Sequence, residues 1–195
     1  MSDGQENLGL DPAEVFAQIN ACPKTGQVIC HLGPIAHIAM RALVPGRLLP
    51  LLGSMGMVLP LSLGVALGRT GRVTAVEGDG GLLMCLGSLS TIASQAPPNL
   101  LCIILDNNGY RTTGGQPTTL EPGGGIERLL IASGFTNVRT VSSLVDLEAA
   151  LSWGCQSGLR AIVCLTRDPV YVPPAPTCDP RSLAREFTRF KCLDD

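Results

Sequence analysis

Two apolar runs, each closed by a short polar cluster, constrain this chain more than any other feature. Val73-Thr74-Ala75-Val76-Glu77 ends in Gly78-Asp79-Gly80, and Leu100-Leu101-Cys102-Ile103-Ile104-Leu105-Asp106 ends in Asn107-Asn108. The 26 residues 81–106 separate the glycine triplet from Asn107. That is room for a helix and the second strand, the repeating unit of a parallel α/β sheet. Such a sheet gathers the C-terminal ends of its strands on one edge, where ligands bind. Asp79 and Asn107 should meet there as two hard oxygen donors. With a backbone carbonyl nearby, they suit Mg²⁺, which prefers oxygen ligands and usually keeps phosphate oxygens in its shell. The glycines let backbone N–H groups approach an anion at the start of the following helix.

The rest of the chain fits the same sheet. Strands are expected at about 27–31, 48–52, 72–77, 100–106, 136–141 and 160–166, and helices at about 35–43, 55–69, 81–95, 125–133 and 143–157. Asp11-Pro12-Ala13-Glu14 reads as N-cap, first-turn proline and reciprocal glutamate of a helix to about Ala21. Asp179-Pro180 opens a last helix over 180–190. Several strands are continuous apolar runs, as in sheets covered on both faces. The expected fold is α/β: a three-layer doubly wound sandwich with a mostly parallel six-stranded sheet. One domain over 1–195 is expected, with a flexible N-terminus at 1–10 and a proline-rich surface strap at 168–180. The Gly- and Thr-rich stretch from Arg111 to Gly125 should be mobile beside the strand-end site.

Several function classes are disfavoured. Fourteen Lys and Arg stand against sixteen Asp and Glu with no basic stripe, which argues against a nucleic-acid partner. Leu48 to Gly68 carries no charge, yet Pro50, Pro60 and the break Gly53-Ser54-Met55-Gly56 divide it into strand, turn and helix rather than a membrane span. The acidic start, Met1-Ser2-Asp3-Gly4-Gln5-Glu6, is unlike a secretory leader. Of eight cysteines none forms a CxxC, and Cys30, Cys102 and Cys164 fall inside strand-like runs, as buried thiols do. A reduced, cytoplasmic protein is expected.

Strand, GDG, spacer, strand, Asn-Asn resembles the signature of thiamine diphosphate (ThDP) enzymes. The resemblance implies Mg²⁺ on Asp79, Asn107 and the Gly109 carbonyl, with Gly78, Gly80, Gly81 and Tyr110 around the diphosphate. Gly53-Ser54-Met55-Gly56 matches the position where the family wedges a bulky residue beneath the bent cofactor. Met55 is then the wedge, Ser54 its neighbour, and the Gly53 carbonyl the acceptor for the aminopyrimidine. With Leu86-Gly87-Ser88-Leu89-Ser90-Thr91-Ile92-Ala93 and Gly114-Gly115-Gln116-Pro117-Thr118, these motifs are similar to the diphosphate-binding half of sulfopyruvate and phosphonopyruvate decarboxylases.

That resemblance implies a small anionic 2-oxo acid substrate, met by Arg111, Thr113, Gln116 or His37. It also implies a partner: a pyrimidine-binding (PYR) subunit carrying the catalytic Glu, in a heterotetramer or larger assembly. So few residues precede the first helix that this chain is expected to hold half an active site. Alternatives are a carboligase subunit of the acetolactate synthase kind and a non-catalytic cofactor-binding or regulatory subunit. One departure stands out: where the family has an Arg-Glu pair a few residues past a glycine, this chain has His37-Ile38 after Gly33. His31 and His37, the two histidines, both fall near the end of the first strand.

Overall fold

The computed structural model describes residues 9–190. Six strands form one sheet: β1 (Gln27–Cys30), β2 (Leu48–Pro50), β3 (Val73–Gly78), β4 (Leu100–Asp106), β5 (Val138–Val141) and β6 (Arg160–Leu165). Their order is β2-β1-β3-β4-β6-β5 and every pairing is parallel, so the expected "mostly parallel" sheet is wholly parallel. The central strands β1, β3 and β4 are buried almost throughout, because helices cover both faces. The edge strand β5 is only partly buried.

Eight helices pack on the sheet: α1 (Pro12–Ala21), α2 (Pro34–Ala42), α3 (Val58–Leu67), α4 (Asp79–Met84), α5 (Gly87–Gln95), α6 (Gly125–Ala132), α7 (Leu144–Gly154) and α8 (Pro180–Arg189). Alternate strand residues split the core into two. Val28, Cys30, Val76, Ile103 and Ile162 face α1, α2 and α7, where Phe16, Ala39 and Leu147 meet them. Ile29, Ala75, Cys102, Ile104 and Val163 face the other layer, against Leu59, Leu89, Ile126 and Phe187. These are the three layers read from the sequence. Among the described residues no helix is long and apolar enough to cross a membrane.

Helix starts follow the local chemistry. Asp11 accepts the Ala13 N–H at 2.8 Å and Glu14 accepts the Asp11 N–H at 3.0 Å, completing the capping box. The Asp179 carboxylate accepts from Arg181 and Ser182 at the head of α8.

Several boundaries differ from expectation; α7 ends at Gly154 rather than 157 and β5 starts at Val138 rather than 136. β2 ends at Pro50, and α3 begins at Val58 rather than 55, because Met55 and Gly56 turn the chain with Gly56 at φ +85°. The single helix expected over 81–95 is two. Cys85 leaves helical geometry (φ −135°, ψ 44°), and the chain at Met84 and Cys85 packs so closely on Gly56 that a side chain there would lie 3.1 Å from Met84 Cβ. The flexible N-terminus expected over 1–10 does not reach Leu10, which is buried, donates to the Leu165 carbonyl at 2.9 Å and accepts from Arg167, pairing beside Thr166. Residues 1–8 of that stretch lie outside the described residues.

Candidate functional site

The sheet order reverses between β1 and β3, and a crevice opens at such a switch point beyond the strand ends. A cavity of about 310 Å³ lies there. His31 after β1, Gly78 to Gly81 after β3, Asn107, Gly109 and Tyr110 after β4, and Thr166 after β6 line it, with Met55 from the turn before α3. Strand ends far apart in sequence thus share one space.

Asp79 is the hub. Its Oδ1 accepts the Gly80 N–H at 2.8 Å, and its Oδ2 accepts the Gly109 N–H at 2.9 Å. Burial raises its pKa to about 6, and the nearby Asp106 carboxylate pushes the same way, opposed by the two N–H donors. Asp106 is also buried and raised by burial, and its Oδ1 accepts the Asn108 N–H at 3.2 Å. Two neighbouring buried carboxyls favour either a proton or a cation between them.

Close approach explains the glycines. A Cβ on Gly80 would lie 2.5 Å from the Tyr110 ring, and one on Gly81 would lie 2.3 Å from Glu77 Oε1. Beneath the cradle, Glu77 is buried; burial lifts its pKa to about 7, opposed by the Gly78 N–H. Its Oε1 accepts the Gly78 N–H at 3.1 Å, while its Oε2 is buried without a partner.

Other expected residues are placed less uniformly. The Asn107 amide Nδ2 donates to Asp168 Oδ1 at 3.4 Å, which leaves its oxygen as an acceptor. The Gly109 carbonyl accepts the Arg111 N–H at 3.0 Å and retains a second lone pair. Arg111 lines the cavity with its Nε 2.9 Å from Asp168 Oδ1. Gly53, Ser54, Thr113, Gln116 and His37 do not line the cavity. Gly53 and Ser54 are exposed in the turn, Thr113 and Gln116 in the loop after β4. That loop is internally bonded, with Tyr110 donating to the Gln116 carbonyl at 2.9 Å and Thr118 to that of Asn108 at 3.1 Å.

His31 rather than His37 reaches the cavity. Its Nε2 is buried without a partner, and burial lowers its pKa to about 4, so the ring is neutral at ordinary pH. Sequence reasoning missed Asp168, Pro169 and Val172 of the strap and Pro12 at the head of α1, all of which line the cavity. Only the acidic Asp168 beside the last strand end carried any signal in the sequence.

Among the described residues, no cluster of three or more His, Cys, Asp or Glu is placed to hold a metal ion. A cation here would need a mixed donor set of carboxylate, amide and carbonyl oxygens. Asp79, Asn107 and Gly109 supply those types, and the side-chain-free surface at Gly80 and Gly81 admits a bulky anion. The residues fit a metal diphosphate.

Residues 29–163 match the family described as thiamine pyrophosphate enzyme, C-terminal TPP binding domain. The chain belongs to this family. Over 146 residues it is 36% identical to sulfopyruvate decarboxylase subunit beta of Methanothermobacter thermautotrophicus, covering 73% of this chain and 76% of that one. Over 142 residues it is 37% identical to phosphonopyruvate decarboxylase of Streptomyces hygroscopicus, covering 72% of this chain but 35% of that protein. It therefore spans about a third of the latter's length. Benzoylformate decarboxylase from Polynucleobacter necessarius shares the fold at TM-score 0.69 and 20% identity, over 90% of this chain and 36% of that one.

Proposed function

We propose that this chain is the diphosphate-binding subunit of a two-subunit, ThDP- and Mg²⁺-dependent decarboxylase of small anionic 2-oxo acids. The observation that carries the reading is the tie between the β3 and β4 ends, Asp79 to the Gly109 N–H, over a glycine floor that admits an anion. The beta-subunit relatives support the two-subunit arrangement. No glutamate is among the described residues lining the cavity, which agrees with a catalytic Glu supplied by a pyrimidine-binding partner.

In this reading Asp79, Asn107 and the Gly109 carbonyl hold Mg²⁺, while Gly78, Gly80 and Gly81 let the diphosphate approach backbone N–H groups. When bound, the thiazolium supplies the electron sink for loss of CO₂. The chain's own task is placement. Met55 gives the cavity an apolar wall. Neutral His31 offers a nitrogen to a polar substrate group without adding charge. Arg111 provides a guanidinium for the substrate's second anion.

The test is a panel of 2-oxo acids assayed with the chain alone and with its co-expressed partner, ThDP and Mg²⁺ supplied. CO₂ release is expected only from the assembled complex, strongest for acids bearing a sulfonate or phosphonate. Turnover by the isolated chain would overturn the half-site reading, and CO₂ release accompanied by a new C–C-bonded product would overturn simple decarboxylation in favour of a carboligase.

A further inference from the structure

Away from the cavity, the layer of α1 and α7 holds two thiols in contact. Cys22 follows α1 and Cys155 follows α7, 133 positions apart in the chain, and their sulfurs lie 3.9 Å apart. Both are partly exposed and line a surface pocket of about 440 Å³ with Gln18, Lys24, Glu148 and Ser152. We propose that Cys22 and Cys155 are a redox pair, which a small-molecule disulfide such as oxidised glutathione converts into a disulfide joining the ends of α1 and α7.

The backbone on both sides is already anchored. The Cys22 carbonyl accepts Thr25 Oγ1 at 2.8 Å and Arg47 Nη2 at 3.0 Å. The Cys155 carbonyl accepts Arg72 Nη2 at 2.8 Å, and the Cys155 N–H donates to Leu151 at 3.0 Å. Closing the remaining gap to a bond length of about 2.05 Å falls to side-chain rotation, with each helix end held in place. By contrast Cys30, Cys102 and Cys164 are buried in the sheet, out of a reagent's reach.

The chemistry balances. The Cys22 thiolate attacks the small disulfide, forming a mixed disulfide and releasing one thiol. The Cys155 sulfur, deprotonated, then attacks Cys22 and releases the second. The protein pair loses two electrons, the small disulfide gains them, and the two protons end on the released thiols. Burial and the Cys22 sulfur hold the Cys155 thiol up in the reduced pair; once Cys22 carries the mixed disulfide its raising influence is gone, while Arg72 and Lys24 still favour the Cys155 thiolate.

The full chain is incubated with excess oxidised glutathione, quenched by alkylation and peptide-mapped. Expected is a cross-linked Cys22–Cys155 peptide, a loss of two hydrogens from the intact mass, and a rise in Tm reversed by a dithiol. Cys155→Ser should stop at a glutathione adduct on Cys22 with no Tm rise, and Cys22→Ser should show neither. A stable adduct on Cys22 in the wild-type chain, alkylation of both thiols after oxidation, or a cross-link to another cysteine would each overturn the proposal. None of these outcomes depends on the decarboxylase reading.

Discussion

Asp79 Oδ2 accepts the Gly109 N–H at 2.9 Å, so one hydrogen bond joins the loops that follow β3 and β4. In the proposed function this carboxylate also carries the only formal negative charge in the Mg²⁺ set. Asp79→Asn keeps an acceptor for one loop N–H but removes the charge. Calorimetry on the assembled complex with Mg²⁺ present should show ThDP affinity falling about 100-fold, equivalent to about 2.8 kcal/mol. Unchanged affinity would return Asp79 to a purely structural role.

The Arg111–Asp168 ion pair spans the cavity mouth, with side chains 48% and 54% exposed. Exposed pairs of this kind contribute only about 0–1 kcal/mol to stability. Asp168→Asn should leave the Tm nearly unchanged while freeing the guanidinium for an incoming anion. KM for a dianionic 2-oxo acid should then fall several-fold in Asp168→Asn. In Arg111→Ala it should rise about tenfold, with pyruvate little affected by either change. Equal effects on both substrates would take Arg111 off the substrate.

Gly80 and Tyr110 form a steric pair, since an added Cβ would meet the ring at 2.5 Å. Gly80→Ala should destabilise the native protein by about 1–3 kcal/mol through overpacking. In a Tyr110→Ala background the same change should be neutral or stabilising, because alanine is the better helix former by about 1 kcal/mol. Urea titration of the four proteins of this cycle reads the reversal. An unchanged cost in the second background would place the strain elsewhere.

Glu77 should make stability pH-dependent with an identifiable sign. Its folded pKa, about 7, stands above the usual 4.5, so the folded state binds more protons between those values. Its contribution is full below about pH 4.5 and is lost as pH rises through 7. Relative to Glu77→Gln, wild-type stability should decline by about 3 kcal/mol from pH 4.5 to pH 8. A flat difference curve in denaturant titrations without divalent cation would show that the carboxyl titrates normally.

Much of the site was legible because its signals are local. A strand run closing on Gly78-Asp79-Gly80, another closing on Asn107, and the capping pair Asp11 and Glu14 each declare themselves within a few residues. Parallel pairing then brings the strand ends together without further information. Continuous apolar runs also announced a sheet covered by helices on both faces. Other features depend on approach between distant segments, which leaves no local pattern. Leu10 joins the sheet only because β6 lies beside it, and the helix after Asp79 breaks at Cys85 where the chain packs on Gly56. Asp168 became a site residue, and Cys22 a neighbour of Cys155, only when the layers closed. Local propensity decides which elements form; the exclusion of water between layers decides which side chains from separate elements share a space.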